Sequence, residues 1–132
     1  MNHFLAKTDP DTYSLADLEK EGETLWDGVH NNAAMLFIQK MAPGDLVYIY
    51  ESMTPKAIVG LAEVTGEPFL NTADPRRSWA VTMKFVKAYP KPLTLAEIKN
   101  TPSLSNFKLV RESRLSVMPV SEAERKILEG ML

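Results

Sequence analysis

The 132-residue chain contains no cysteine. Thiol catalysis, disulfides, iron–sulfur clusters and thiolate zinc sites are thereby excluded. Histidine is almost as scarce: His3 and His30 are the two imidazoles, with no His-Glu-x-x-His spacing, so no dedicated metal site is expected. P-loop, Gly-x-Gly-x-x-Gly and Gly-x-Ser-x-Gly motifs are absent, and with them the usual signals of nucleotide hydrolysis, dinucleotide cofactors and serine hydrolases. Apolar runs such as Ala57–Ala62 fall far short of the ~20 residues a membrane span needs. The opening MNHFLAKTDPDT lacks the basic region and apolar run of a secretory signal. Repeats, linkers and low-complexity tracts are missing too. These absences lead us to expect a single soluble domain over residues 1–132, cytoplasmic, without cofactor, metal or membrane, and not an enzyme.

What is present is an ordinary globular composition, 45% hydrophobic and 24% charged, with charge unevenly placed. Residues 1–51 hold nine acids and three bases; residues 52–132 hold eight acids and twelve bases. Seven of the acids lie between Asp9 and Asp27, as on a solvated acidic helix. Arg76, Arg77, Lys84, Lys87 and Lys91 form a run without an acid. Such a run is either a solvated strand face or a modest basic face that touches phosphate. Electrostatics this balanced do not hold nucleic acid tightly on their own.

Three segments carry a hydroxyl followed three residues later by an acid: Ser14–Asp17, Thr94–Glu97 and Ser121–Glu124. This capping-box spacing predicts helices over about 14–20, 94–100 and 121–130. A fourth helix, about 31–41, follows from Met35, Ile38 and Met41 beside Ala34 and Phe37, with Asn31 or Asn32 as its cap. Strands are expected at Phe4–Ala6, Leu46–Tyr50, Ile58–Val64, Trp79–Phe85 and Leu115–Val120; Pro119 implies that the last lies on an edge or ends there. Gly60 inside a strand marks a bulge or bend. The interleaving lacks the regular rhythm of a Rossmann fold and gives an α+β domain: a small, bent mixed sheet or barrel with helices around it.

The segment TLWDGVHNN, Thr24–Asn32, is the most informative. Trp26 precedes the turn dipeptide Asp27–Gly28 and then polar residues that open a helix. Trp26 is either core filler or one wall of a pocket. An indole face beside amide side chains suits a planar polar ligand such as a base, with stacking for energy and Asn31 for edge recognition. Lys7 and Thr8, at the end of the first strand, add donors at the same mouth.

These residues carry a family resemblance that spans about 120 positions. Lys7-Thr8-Asp9-Pro10, Tyr13-Ser14, Thr24-Leu25-Trp26-Asp27-Gly28-Val29 with Asn31, and Gly44-Asp45 come first in order. Tyr50-Glu51-Ser52, Ile58–Val64, Trp79, Pro92–Lys99, Arg114–Val117 and Pro119-Val120 follow. In this pattern the chain resembles the EVE-domain family (DUF55). The resemblance implies a PUA-like fold, a bent mixed sheet or pseudo-barrel surrounded by short helices. It also implies a reader of a modified base or nucleotide in DNA or RNA, held in an aromatic-walled pocket. Carried over by position, Trp26 stacks, Asn31 reads the base edge, and Lys7, Thr8, Tyr50 and Ser52 line or rim the pocket. Arg114 and Ser116 contact phosphate or support the pocket, and Arg76 and Arg77 are further candidates for phosphate.

The chain departs from the family pattern after Val29, where His30–Leu36 replaces a stretch that usually holds two arginines and a tyrosine. Met35 and Leu36 make this helix more apolar. A second expectation follows: a PUA-like module that binds a protein partner, its nucleotide pocket altered or lost. A third is a hydrolase or transferase acting on a nucleobase-like ligand through His30.

Overall fold

The apolar runs become the inner strands of one mixed sheet. The computed structural model describes residues 1–132. In chain order the elements are β1 (His3–Thr8), α1 (Leu15–Glu21), β2 (Glu23–Trp26), α2 (Asn32–Gln39), β3 (Leu46–Glu51) and β4 (Ala57–Val64). Then come β5 (Phe69–Leu70), β6 (Trp79–Thr94), α3 (Leu95–Lys99), a 3-10 turn (Pro102–Leu104), α4 (Lys108–Arg111), β7 (Val117–Val120) and α5 (Glu122–Met131). The sheet runs β2-β6-β4-β3-β1-β7, with β5 paired to β6 beside this path. It stays open, with β2 and β7 as its two ends. β1 pairs parallel with β3 and antiparallel with β7, while β3–β4, β4–β6 and β2–β6 are antiparallel.

All three capping boxes form, each with both hydrogen bonds in place. In each, the hydroxyl accepts an otherwise orphaned amide of the first turn while the acid accepts the cap amide. The expected strands are present, with shifted ends. β1 extends from His3 to Thr8, and β7 starts at Val117 rather than Leu115. β6 is sixteen residues long, because its first part pairs with β2 and β5 while the rest pairs with β4. β2, β5 and α4 are additional to the sequence reading. Pro119 does lie on an edge strand, opposite Phe4.

Bends are written into the pairing. Register shifts fall between Ile49 and Tyr50 in β3–β4, and between Ile58 and Gly60 and between Leu61 and Ala62 in β4–β6. Such bulges sharpen twist and curl a sheet around its core. That core includes Leu5, Ala6, Leu18, Ile38, Tyr48, Ile58, Met83, Phe107 and Leu128, all fully buried. Met35 also packs inward, whereas Leu36 is 58% exposed. The apolar pair that motivated a protein-binding helix is therefore divided between core and solvent.

Gly60 sits where α1 presses on the bent sheet. A Cβ there would lie 2.6 Å from both Leu15 methyls and 2.8 Å from the Lys87 carbonyl oxygen. Leu15 has rotamers to yield with, but the backbone carbonyl does not. Gly60→Ala is expected to destabilise the domain by about 1–3 kcal/mol, the range for overpacking. Urea denaturation checks this, the expected signature being a lower midpoint with an unchanged slope.

Candidate functional site

Trp26 is the last residue of β2, opposite Val81 of β6. After it, Asp27–Gly28 turns the chain, with Gly28 at φ +74°, a backbone conformation glycine adopts without steric cost. The turn leaves a cavity of about 600 Å³ between β1, the 9–13 turn and the 24–30 segment. Lys7, Thr8, Tyr13, Trp26, His30 and Ser116 are among its lining residues, together with the carboxylates of Asp9, Glu21 and Asp27. Tyr13 meets Trp26 edge to face, ring centroids 6.3 Å apart at 87°. The Tyr13 hydroxyl donates to Glu21; burial first, and that bond second, raise its pKa. Thr8 is fixed by donating its hydroxyl to the Tyr13 carbonyl. The Lys7 amide donates to the Ser116 carbonyl at 2.8 Å. Three carboxylates against one lysine make the cavity acidic.

Of the two places expected of Asn31, helix cap and base reader, the structure gives it the cap. It caps α2, its Oδ1 accepting the Ala34 amide at 3.0 Å, and it does not line the cavity. Tyr50 and Ser52 are also absent from this cavity. They line a separate one of about 220 Å³, with Lys7, Lys56, Lys99 and Ser113 among its other walls. The reason is register: Tyr50 is opposite Lys7 in the β1–β3 pair, so the two share one face of the sheet. Lys7 lines both cavities. Its Nζ donates to the Ser113 carbonyl at 2.9 Å and lies 5.8 Å from the Tyr50 ring centroid. Burial, then the neighbouring Lys56, lower the Lys7 pKa.

The basic run is dispersed. Lys84 lies 3.9 Å from Glu63, and Lys87 stands over the Tyr89 ring. Arg76 and Arg77 are exposed in the loop before β6, and Arg114 is exposed next to Ser113. None of these arginines lines either cavity.

Sequence reasoning missed the partner of His30. Its Nε2 lies 2.7 Å from Asp74 Oδ2, which also accepts the Ser78 hydroxyl at 2.9 Å. Asp74 Oδ1 accepts the Arg76 amide. The carboxylate thus ties the 71–78 loop to the rim of the Trp26 cavity. His30 lines the Trp26 cavity, as a catalytic reading requires. Its contact, however, is a carboxylate, and the Ser78 hydroxyl is spent on that same carboxylate. No local pattern connects residues 30 and 74. The aromatic contact of Tyr13 lay within a noted motif but gave no separate signal.

The EVE-domain family model matches residues 2–131. The chain belongs to the EVE-domain family. This EVE domain is 25% identical over 158 residues to human thymocyte nuclear protein 1, the match covering 93% of the chain and 70% of that protein. A solved hypothetical protein of Leishmania major superposes with a TM-score of 0.93 at 32% identity, over 99% of this chain and 94% of the other. The human THYN1 protein in complex with 5-methylcytosine-containing DNA gives 0.91 at 24% identity, over 99% and 97%. The fold is that of this PUA-like family: an open, bent mixed sheet with short helices around it.

Asn31→Ala is expected to cost about 1 kcal/mol of stability, as loss of an N-cap does, read by chemical denaturation. The Asp74 carboxyl titrates below the ordinary aspartate value, first because of the His30 hydrogen bond and next because of the Arg76 amide. A depressed folded-state pKa gives stabilisation that is complete above the ordinary value and lost as pH falls through the lower one. Carbon-13 NMR of Asp74 should place its midpoint below the ordinary value, and His30→Ala should move it upward.

Proposed function

We propose that this EVE domain binds nucleic acid by admitting one unstacked, modified base into the Trp26 cavity, without catalysing a reaction on it. The observation that carries the reading is an aromatic-walled cavity of about 600 Å³ in the Trp-Asp-Gly segment, within the 300–1,000 Å³ span of small-ligand sites. The support from relatives is the human THYN1 protein, solved with 5-methylcytosine-containing DNA on the same fold. Trp26 and Tyr13 supply the aromatic surface on which a base gains stacking energy. Asp9, Glu21 and Asp27 are acceptors, the chemistry that suits the exocyclic amine of a cytosine or adenine. Lys7, Thr8 and Ser116 stand at the rim. A base extruded from a duplex costs a few kcal/mol of unpairing, so single-stranded or destabilised sites bind better than intact duplex.

The protein-partner reading retains Leu36 alone as an exposed large apolar side chain of α2. The His30 reading retains its position at the cavity. A carboxylate-bound imidazole lends equally well to loop anchoring, and anchoring needs no further group. We therefore favour binding over catalysis.

The test is a fluorescence titration of the purified domain with 5-methylcytosine-containing and unmodified single-stranded oligodeoxynucleotides. Trp26→Phe separates the Trp26 signal from that of Trp79. Saturable quenching that requires Trp26 and favours the methylated strand is expected. Trp26→Ala should weaken binding by ~1–3 kcal/mol, roughly 5- to 150-fold, with circular dichroism confirming that the variant is folded. Equal affinity in folded Trp26→Ala overturns the assignment.

A further inference from the structure

The smaller cavity behind Lys7 differs from the Trp26 cavity in charge. Its walls include three lysines and no carboxylate. Lys7 comes from β1, Lys56 from the residue before β4, and Lys99 from the end of α3, so 92 residues of sequence separate the first from the last. Their convergence is built by hydrogen bonds. The Leu95 amide donates to the Lys56 carbonyl at 2.9 Å, and the Thr94 capping box sets the start of α3. Ala57 pairs with both Glu51 and Thr94.

None of the three ammonium groups has an ion-pair partner. Nearby carboxylates are committed elsewhere. Glu51 accepts the Leu15 amide, Glu97 accepts the Thr94 amide and hydroxyl, and Glu112 pairs with Lys108. Tyr50 is only 2% exposed, yet burial alone raises its pKa, with no hydrogen bond contributing. Its ring centroid lies 5.8 Å from the Lys7 ammonium, and both residues line the cavity. Like charges gathered without a counterion repel one another, and an anion in their midst removes that cost. The volume of about 220 Å³ accommodates a phosphate group and several waters, each on the order of 30 Å³.

We propose that this cavity is a phosphate seat, which holds a backbone phosphodiester of the strand whose base enters the Trp26 cavity. The proposal rests on the base-binding reading for the identity of its ligand, but the anion site stands on its own geometry. Lys7 is the shared wall: the base lies on its acidic side and the phosphate on its basic side. The acidic lining of the first cavity repels phosphate, and the second cavity offers it cations within reach of the same lysine. The phosphate contact thus comes from lysines of three distant segments and not from the Arg76–Lys91 run.

The test compares wild type with the Lys56→Gln/Lys99→Gln double variant. Both residues are exposed, so the fold is expected to persist. Lys40→Gln/Lys126→Gln is the charge-matched control. The probes are a 5-methylcytosine single-stranded oligonucleotide, 5-methyl-2′-deoxycytidine and inorganic phosphate. For the oligonucleotide, the double variant should lose about tenfold in affinity at low salt. The slope of log K against log salt should flatten by about 0.7, the value of one neutralised phosphate on a single strand. Nucleoside binding should be unchanged, and the control should keep the wild-type slope. Inorganic phosphate should shift the Ser52 and Ser113 amide signals of wild type and not of the double variant. An unchanged oligonucleotide slope and affinity overturns the seat and leaves the base reading standing. Phosphate shifts without any nucleoside or oligonucleotide binding overturn the base reading and support the seat as an anion site. Absence of phosphate shifts together with an unchanged slope removes the seat altogether.

Discussion

The parallel pairing of β1 with β3 is the constraint on which the rest of the molecule depends. It sets Lys7 opposite Tyr50 and Thr8 opposite Glu51. Thr8 is then fastened by three hydrogen bonds: its carbonyl accepts both the amide and the hydroxyl of Ser52, and its own hydroxyl donates to the Tyr13 carbonyl. The end of β1 is thereby fixed against both the 9–13 turn and the end of β3. Because side chains alternate across a strand, a slip of one residue would turn Lys7 to the other face. Lys7 would then leave both cavities.

The molecule separates charge over a short distance. On one side of Lys7 are Asp9, Glu21 and Asp27; on the other are Lys56 and Lys99. Nucleotides have the complementary division, with a base that carries amine donors and a phosphate that carries negative charge. A net formal charge of −2 conceals this arrangement. Whole-chain charge governs long-range attraction, whereas local charge governs which end of a ligand goes where. For the proposed nucleotide ligand, modest affinity with definite orientation is the expected consequence.

How much was legible in the sequence depended on how local the determining interactions are. The capping boxes of Ser14, Thr94 and Ser121 involve residues three apart, and all three form. The apolar runs of β3 and β4 are similarly self-declaring. β2 was not legible: four residues, Glu23–Trp26, are too few to show alternation, and their strand state comes from pairing with β6. Of the two readings open for Trp26, core filler and pocket wall, the structure supports elements of both: the residue is 8% exposed within the core and also lines the cavity. The cavity's second aromatic, Tyr13, and its His30–Asp74 tie were not legible, because tertiary packing brings them together. The sequence allows Asn31 both a capping role and a ligand role; geometry gives its side-chain carbonyl oxygen to the cap. Tyr50 and Ser52 line the smaller cavity and not the Trp26 cavity for the same kind of reason. Strand register, unreadable from one sequence, decides which face a side chain joins.

The position of β1 between β3 and β7 has a consequence for biogenesis. Residues 3–6 pair with residues 117–120, so the first strand of the domain waits for its last. β1 can dock on β3 once residue 51 is available, but its other edge stays bare until residue 120 has left the ribosome. An unpaired strand edge is a template for unwanted pairing. During translation, the interval between those two events is when this chain is most exposed to misassembly and to chaperone capture.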